Sequence, residues 1–446
     1  MSEGLFGPLF VPDVFRDAVG GRAWLQAMLD SEAALGAAEA RVGLIPVEAA
    51  EEIAGRCDAN RFDPEEIGRE GRAAGNPVPP LVRALTEAVP GDAARYVHKG
   101  ATSQDITDTA AMLVARRTLG PILGELDGIS AACARLAEEH RATVMPGRTL
   151  LQQALPITFG LKAAGWLVAV VEVRRRLFIV RASGLAAQLG GAAGTLASLG
   201  PDGTKVLSEF ARELDLAEPV VPWHTARLRV ADLGSALALT TGTIQKVALD
   251  VILMAQTEIG EVTESAEGGR GGSSTLPHKR NPVGATLAVA CARRVPDLAH
   301  TLQTAMVQEH ERSAGAWHSE WETLSDALSL TGGAAAAMWE SLDGLRVHPD
   351  RMRANLDLTG GLLLAEHVTT IAAEKLGRLE AHELVKKASH RALDGESSLR
   401  EKILSDAELG KALTPEEVDR ALDPGRYLGS ADAFIDRALD LYDKEK

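Results

Sequence analysis

Long stretches that favour helix and contain few helix breakers constrain the fold of this sequence most. They cover residues 105–141, 151–183, 229–263 and 284–343. A helix in a globular protein has about 11–12 residues on average, so stretches of this length predict an elongated bundle of helices that pack along their whole length. Apolar side chains on more than one side of such helices predict packing between subunits as well. The last stretch is predicted to break near Gly332 and Gly333.

The sequence as a whole predicts an all-α protein in three parts. Residues 1–105 contain shorter helical stretches, such as 22–42, and breakers such as NPVPP; residues from 346 onward contain short helices joined by turns such as LDPGRYLGS. We therefore expect an N-terminal helical domain at 1–105, a central bundle of long helices at 106–345 and a small C-terminal helical domain at 346–446. Aromatic residues make up only 4% of the chain, which favours close packing of Ala, Leu and Val between helices.

Charge and cysteine usage exclude several classes of protein. The net charge of −15 argues against nucleic acid and anionic membranes as partners, and an anionic substrate would need a local positive pocket. Cys57, Cys133 and Cys291 lie far apart and form no CxxC pair, which indicates a reducing compartment. The N-terminal residues lack the pattern of a signal peptide, and no stretch of about 18 uncharged apolar residues follows. We expect a soluble, cytoplasmic protein.

One loop between the long stretches is rich in polar chemistry. Residues 271–284 read GGSSTLPHKRNPVG. Ser273 and Ser274 precede an ammonium group, Lys279, and Asn281 stands before Pro282, a residue that suits the first turn of a helix. The loop lacks the GxxxxGK[ST] pattern of a phosphate-binding loop, whereas a flexible connector remains a possible interpretation. The donors of residues 279–281, crowded at a helix start, suit a carboxylate.

This loop resembles the signature of the fumarase/aspartase superfamily, GSSxMPxKxNP, with Leu276 where Met is usual. Two further blocks are similar to that superfamily: HKGATSQDITDT at 98–109 and GRTLLQQALPITFG at 147–160. The resemblance spans essentially the whole chain. It implies a fumarase/aspartase-like fold and a homotetramer whose central bundle gathers helices from four subunits. It also implies active sites shared between subunits, with the three blocks meeting only between chains.

The same resemblance implies the roles of the site residues. Ser273 would handle the proton on the carbon next to the substrate carboxylate, and Lys279 and Asn281 would hold that carboxylate. The residues implied in substrate binding are His98, Thr102, Ser103, Thr149, Gln152 and Arg312. Two alternatives stay open: Thr102 and Asp105 could simply form a helix capping box, and His98 could make a structural hydrogen bond.

Within the superfamily the chain most resembles the bacterial cycloisomerases that act on 3-carboxy-cis,cis-muconate. The resemblance rests on the second block and on AAGNPVPPLVRAL, VPWHTARLRVADL and QEHERSAGAWHSEWETL. His224 and Arg227, in the second of these three segments, are weaker candidates for the site. In the third, Arg312 is followed by Trp317 and Trp321, which suit a nucleotide phosphate poorly. Lys99 stands where this branch is expected to have Trp.

Leu150 is the most informative departure from the superfamily. Many members have His at this position, where it acts on or near the leaving group, and a leucine can neither donate nor accept a proton. A carboxylate, with a pKa of about 4, is stable as an anion and needs no general acid. Leu150 therefore argues against hydratase and ammonia-lyase chemistry and is compatible with lactone formation.

The implied reaction is the conversion of 3-carboxy-cis,cis-muconate to 4-carboxymuconolactone without a cofactor. No metal is expected, since His310 and His318 lack metal-ligand spacing. The alternatives are another lyase of the superfamily, such as an adenylosuccinate-lyase-like enzyme, and a non-catalytic structural homologue. The intact Ser273, Lys279 and Asn281 argue against the last of these.

Overall fold

The computed structural model of this protein describes residues 4–265, 271–272, 275–276, 278–395 and 397–446. Its regular structure is almost entirely helical, which confirms the predicted fold class. The α-helices are α1 (Gly7–Phe10), α2 (Asp13–Ala18), α3 (Gly21–Val42), α4 (Val47–Ala54), α5 (Pro64–Ala74), α6 (Val78–Ala88), α7 (Ser103–Glu139), α8 (Phe159–Ile179), α9 (Gly203–Glu213), α10 (Leu228–Met254), α11 (Val283–Ala292), α12 (Val295–Thr304), α13 (Glu320–Asp343), α14 (Pro349–Asp357), α15 (Ala365–Leu376), α16 (Arg378–Leu393), α17 (Leu399–Leu404), α18 (Leu409–Ala412), α19 (Pro415–Ala421) and α20 (Ala431–Glu445).

Strands are few and short in the part of the chain that the structure describes. They are β1 (Val144–Thr149), β2 (Gln152–Thr158), β3 (Val262–Thr263) and β4 (Arg346–Val347). β1 pairs with β2 and β3 pairs with β4, both in antiparallel register. Single turns of 3₁₀ or π helix lie at Ala59–Arg61, Gly91–Tyr96, Val180–Gly184, Gly191–Ala193, Ala197–Asp202, Trp317–Ser319, Leu362–Leu364 and Pro424–Arg426.

The chain divides into two compact units, each built from three segments. The first unit comprises Met1–Asp127, Glu172–Lys246 and Thr286–Trp339. The second unit comprises Gly128–Val171, Val247–Ala285 and Glu340–Lys446. The division into three successive domains at residues 105 and 345 stays a prediction.

Helix α13 shows why the predicted break at Gly332 and Gly333 is wrong. The helix continues through both residues, and they are buried. A Cβ atom at Gly332 would lie 2.3 Å from the ring of Phe15, and one at Gly333 would lie 2.5 Å from the carbonyl oxygen of Phe10. The two glycines therefore make room for the N-terminal segment of the first unit. These glycines are needed for close packing against that segment, and they do not form a turn.

The same predicted stretch does break elsewhere. α11 ends at Ala292, and Pro296, which has no backbone N–H, occupies the first turn of α12. After α12 the chain runs without an α-helix from residue 305 to residue 319. Residues 284–343 thus form three helices, of which only α13 is long.

The predicted helix at 151–183 is wrong at its start. Residues 152–158, QQALPIT, form strand β2, in which Pro156 lies opposite Pro146 of β1. The hydroxyl of Thr158 accepts a hydrogen bond from the N–H of Leu161 at 3.0 Å, the usual arrangement of a helix N-cap. The helix can therefore start only at Phe159, the first residue of α8.

Helix α10 is long and apolar enough, by length and composition alone, to cross a membrane. Its most apolar window has a mean hydropathy of 1.4, and 44% of that window is buried. The core helix of a soluble protein passes the same test. Asp250 on α10 accepts a hydrogen bond from the indole of Trp166 at 2.8 Å, so within the second unit this helix makes polar contacts with its neighbour α8.

Short helices build the C-terminal part of the second unit, as the sequence predicts. They share a small apolar core that includes Val368, Ala381, Val385, Leu399, Ile403, Leu409 and Val418. Complete capping boxes start α17 and α19, with Ser398 bonded to Glu401 and Thr414 bonded to Glu417.

Candidate active site

The start of α7 is organised by the buried carboxylate of Asp105. This carboxylate accepts hydrogen bonds from the backbone N–H of Thr102, Gly190 and Gly191, each at 2.9 Å. It accepts a fourth from Nε2 of His224 at 2.7 Å. All four lone-pair positions are used, so Asp105 holds the helix start and cannot also ligate an anionic substrate, which it would repel. The capping interpretation is confirmed for the carboxylate of Asp105.

Arg312 lies beside this helix start. One guanidinium nitrogen donates to the hydroxyl of Thr102 at 3.1 Å, and the other donates to the carbonyl oxygens of Gly191 and Ala192 at 3.4 and 3.0 Å. These partners are neutral, and within the described residues Arg312 forms no ion pair. A cation thus stands next to Thr102 and Ser103, the first residues of a helix, where a carboxylate would gain both from the charge and from the helix dipole.

His98 is held by the carboxylate of Glu32, which belongs to none of the sequence motifs. Its Nδ1–H donates to Oε1 of Glu32 at 2.6 Å, and the Glu32 side chain is only 1% exposed. Burial lowers the pKa of His98, but the charge and hydrogen bond of Glu32 outweigh it, so the pKa is raised above its ordinary value. His98 therefore makes the structural hydrogen bond that was one of its two interpretations. This bond uses Nδ1 and leaves Nε2 for another partner.

Arg227, a weaker candidate, belongs to the framework of the first unit. Its guanidinium is buried and donates to both carboxylate oxygens of Asp108, at 2.7 and 2.9 Å, and to Glu320. The indole N–H of Trp317 donates to the same Asp108 at 2.9 Å. Trp317 is therefore a buried framework residue, so it does not by itself exclude a nucleotide phosphate. His224, the other weak candidate, donates its hydrogen bond to Asp105.

In the second unit, Thr149 and Gln152 face each other at the end of the β1–β2 hairpin. The turn between them consists of Leu150 and Leu151, with φ of 50° and 65°. Such left-handed angles favour Gly or Asn in a two-residue turn, and leucine adopts them at a cost. Leu150 is 96% exposed and Leu151 is 74% exposed in the single chain. The tip of the hairpin thus presents two apolar side chains and no proton donor of its own between Thr149 and Gln152.

A buried ion pair fixes the base of that tip. Arg148 donates two parallel hydrogen bonds to Glu261, at 2.9 and 2.7 Å. Glu261 is fully buried and also accepts from the amide of Asn355 at 2.8 Å. A bidentate pair of this kind is directional, so the neighbouring residue Thr149 is held in one orientation.

The signature loop is described only in part. Ser273, the residue expected to handle the proton, lies outside the described residues. Lys279 is exposed. The backbone N–H and the side-chain amide of Asn281 both donate to the carbonyl oxygen of Gly271, at 2.9 and 3.1 Å. Asn281 therefore ties the two ends of the loop together, and holding a substrate carboxylate would be an additional task for its side chain.

The first turn of α11 already binds a carboxylate of this chain. Glu264 accepts from the N–H of Gly284 at 2.9 Å, the N–H of Ala285 at 2.8 Å and the hydroxyl of Ser341 at 2.6 Å. The helix-start donors that the sequence analysis assigned to an anion are thus partly occupied by Glu264. Lys279, one turn before the helix, is an exposed cation that remains for a substrate here.

The predicted site residues fall into both units. His98, Thr102, Ser103 and Arg312 belong to the first unit, whereas Thr149, Gln152, Lys279 and Asn281 belong to the second. Within the described residues no group of three His, Cys, Asp or Glu side chains could hold a metal ion. Glu32 was missed from the sequence, although one signal was available: it is an acid seven residues from Glu39 on a face of α3 that is otherwise mostly apolar.

Family models assign the chain to a class of enzymes. The family model described as Lyase matches residues 12–296, and a second, described as Adenylosuccinate lyase C-terminus, matches residues 361–438. The chain therefore belongs to the lyase family. These matches confirm the superfamily recognised from the three sequence blocks.

Individual relatives are similar over their whole length. A 3-carboxy-cis,cis-muconate cycloisomerase of Bradyrhizobium diazoefficiens is 46% identical, with 99% of this chain and 98% of that protein aligned. A nitrosuccinate lyase of Streptomyces davaonensis is also 46% identical, with 98% and 95% aligned. The crystal structure of the 3-carboxy-cis,cis-muconate lactonizing enzyme from Pseudomonas putida matches with a TM-score of 0.94 and 42% identity, covering 99% of this chain and all of that one. The fold is thus that of a soluble enzyme.

Proposed function

We propose that this protein is a cycloisomerase that converts 3-carboxy-cis,cis-muconate to 4-carboxymuconolactone, a step of aromatic-acid breakdown. The proposal is supported by the similarity to several 3-carboxy-cis,cis-muconate cycloisomerases and by the hairpin tip, where Leu150 and Leu151 stand between Thr149 and Gln152. Leucine at this position supplies no proton to a leaving group. This favours a reaction whose adding or departing group is stable as an anion, as a carboxylate is.

In the proposed reaction a substrate carboxylate oxygen adds to a carbon–carbon double bond, and a proton is delivered to the adjacent carbon. One C–O bond and one C–H bond form, one C=C π bond is lost, and no group leaves. Negative charge spreads onto the neighbouring carboxylate before the proton arrives. Lys279 stabilises that charge because a fixed cation acts strongly in a site closed to water. Ser273 delivers the proton.

The substrate carries three carboxylates, so the site needs several cations in a chain of net charge −15. Lys279 in the second unit and Arg312 and His98 in the first supply them. Arg312 stands at the helix start of Thr102 and Ser103 with neutral partners only, which supports its role as a carboxylate ligand.

We propose further that the protein is a cytoplasmic homotetramer whose active sites combine residues of different subunits. Helix α10 supports this assembly, because Leu228, Leu239 and Leu249 are 67%, 56% and 48% exposed in the single chain. Apolar side chains exposed along a helix of this length suit a helix of another subunit. Sedimentation of the purified protein as a monomer would contradict the proposal.

A second candidate reaction is lyase chemistry on nitrosuccinate. The relative of that name is as similar as the cycloisomerase, at 46% identity. Elimination from nitrosuccinate would release nitrite, which is also a stable anion, so Leu150 is equally compatible with it. The two candidate reactions can therefore be distinguished only by which substrate the protein converts.

Two assays on the same purified protein do so. With 3-carboxy-cis,cis-muconate, the ultraviolet absorbance of the conjugated diene should disappear as the lactone forms, with kcat/KM of about 10⁴ M⁻¹s⁻¹ or more. With nitrosuccinate, a colorimetric nitrite assay should show at least about 100-fold lower kcat/KM. Nitrite release with a stable diene spectrum would assign the nitrosuccinate reaction instead, and adenylosuccinate serves as a third substrate.

A further inference from the structure

A buried group of four ionisable side chains lies behind the start of the second sequence block. Glu32 and Glu39 stand seven residues apart on one face of α3, and both are buried, with 2% and 0% exposure. Two consecutive residues, His98 and Lys99, approach them from the second block. We call these four residues the α3 charge cluster. It lies wholly within the first unit.

The backbone fixes the direction of His98. Its φ is 57°, in the left-handed region that non-glycine residues adopt only when their surroundings impose it. Gly100 follows with φ of 77°, and a Cβ atom there would lie 2.4 Å from a methyl carbon of Leu199. The segment is thus clamped between Leu199 and α3, so the imidazole has one orientation.

Glu32 then fixes the protonation of His98. The Nδ1–H of His98 donates to Oε1 of Glu32 at 2.6 Å, which leaves Nε2 as the nitrogen that faces away from that carboxylate. The His98 side chain is 19% exposed and that of Glu32 is 1% exposed. A buried carboxylate beside an imidazole favours the imidazolium, in which both nitrogens carry protons.

Lys99 and Glu39, the other two members of the cluster, limit the negative charge next to the His98–Glu32 pair. Lys99 donates to the carbonyl oxygen of Leu44 at 2.8 Å, and its charge acts to lower the pKa of Glu39. Glu39 has no hydrogen-bond partner on either oxygen among the described residues, which suits a neutral acid better than a buried anion. Burial accordingly raises its pKa to about 8. One anion, Glu32, thus faces His98 from α3.

We propose that Glu32 is a positioning residue that keeps His98 doubly protonated and oriented, so that its Nε2–H donates to one carboxylate of the substrate. This inference rests on the proposed function, because it assigns His98 to the binding of that polycarboxylate. It also gives Lys99, which replaces the expected Trp, a role as a counter-charge in the cluster. The titratable groups that face His98 are Glu32 and Glu39 from α3 and Asp105 from α7, and the charge of Lys99 acts on Glu39.

Substitution Glu32→Gln tests the proposal, because it retains the shape and removes the charge. Without that charge, burial lowers the pKa of His98 and the imidazole becomes neutral near pH 8. KM for 3-carboxy-cis,cis-muconate should rise about tenfold at pH 8, because the imidazolium predominates in the wild type and is a minor form in the variant, and each unit by which the pH exceeds the pKa lowers the charged fraction about tenfold. It should rise less than about twofold at pH 5.5, where His98 is protonated again, and kcat should change less than KM. The exposed Glu52 on α4 offers a matched control, Glu52→Gln, with unchanged KM.

The His98→Gln variant should raise KM at every pH. Adding Glu32→Gln to it should change KM less than about twofold, because the two residues act as one pair. An equal rise in KM at both pH values, or an undiminished effect of Glu32→Gln in the His98→Gln background, would overturn the proposal. Should Glu32→Gln fail to fold, Glu32→Asp, which keeps the charge but shortens its reach, should give a smaller rise at pH 8 that again disappears at pH 5.5. If KM of Glu32→Asp rises equally at pH 8 and at pH 5.5, the proposal is also overturned.

A binding measurement separates this inference from the proposed reaction. If wild-type protein does not convert 3-carboxy-cis,cis-muconate, the proposed function fails. The Kd of propane-1,2,3-tricarboxylate, measured by calorimetry from pH 5.5 to 8.5, then still tests the pair. As the pH is raised, binding to the Glu32→Gln variant should weaken at a lower pH than binding to wild type. That result supports the role of Glu32, and identical pH profiles refute it.

Discussion

The Asp105 carboxylate offers a sharp test of how the candidate site is built. The substitution Asp105→Asn keeps the shape of the side chain but replaces one acceptor oxygen with an NH2 group. In the wild type, one oxygen accepts from Thr102 and Gly191, and the other accepts from Gly190 and His224. Whichever oxygen is replaced, the new NH2 faces at least one backbone N–H donor that it cannot satisfy.

The magnitude follows from the number of donors left without a partner. If the amide nitrogen faces Thr102 and Gly191, two N–H groups are unpaired. If it faces Gly190 and His224, the histidine can change tautomer and accept, so one N–H is unpaired. The amide takes the orientation that leaves one N–H unpaired, and a buried donor without a partner costs about 1–3 kcal/mol. A unit of about 250 residues loses about 2–4 °C of Tm per kcal/mol, so Tm should fall by roughly 2–12 °C.

Thermal unfolding followed by circular dichroism measures this change at fixed protein concentration. Asp202→Asn is the control, since Asp202 accepts from Lys205, whose side chain is 70% exposed. Surface pairs contribute about 0–1 kcal/mol, so the control should lose little. At a temperature where both variants are folded, kcat/KM of Asp105→Asn should fall about 10–100-fold, because Thr102 and the carbonyls that hold Arg312 shift. A Tm within about 1 °C of wild type would refute the assignment of Asp105 as the organiser of this site.

Three further substitutions test other parts of the molecule. Lys279→Met should raise KM and lower kcat for 3-carboxy-cis,cis-muconate, together at least about tenfold in kcat/KM, because it removes a cation from a tricarboxylate site; near-normal kinetics would exclude Lys279. Leu150→His should not accelerate lactone formation, because the adding carboxylate needs no acid, so a marked increase in kcat would contradict that account. Glu39→Gln should leave Tm unchanged at pH 5 and raise it at pH 8.5 relative to wild type. Burial raises the pKa of folded Glu39 to about 8 from 4.5, so its contribution to stability is present below the unfolded pKa and is lost between pH 4.5 and 8, by on the order of 5 kcal/mol at most. Parallel curves of Tm against pH for the two proteins would show that Glu39 is ionised in the fold.

The sequence predicts local features of this protein well and long-range ones poorly. Helix α3 ends at Gly43, as expected, because the positive φ of a C-terminal glycine is a local signal. The strand at Gln152–Thr158 escapes detection because a short apolar segment before a helix resembles the first turns of that helix. The sequence predicts a helix break at Gly332 because Phe15, whose ring packs against this glycine, is distant in sequence.

The candidate site shows the same contrast. Thr102, Ser103 and Arg312 were selected from motifs, and the structure brings Thr102 and Arg312 into contact. The partner of His98 could not be selected in this way. Glu32 lies 66 residues earlier in the chain, and only the packing of α3 against the second block brings the two side chains together.

The packing of the first unit also has a consequence for the synthesis of the protein. Phe15 fills the space above Gly332, and the indole of Trp24 donates to Ser325, which lies 301 residues further along the chain. A ribosome adds about 5–20 residues per second, so the partners of the N-terminal helices emerge roughly 15–60 s after them. During that time Phe15 and Trp24 lack the surfaces that bury them in the finished fold. The early helices of a nascent chain are therefore natural clients of chaperones, and the first unit can close only when α13 has left the ribosome.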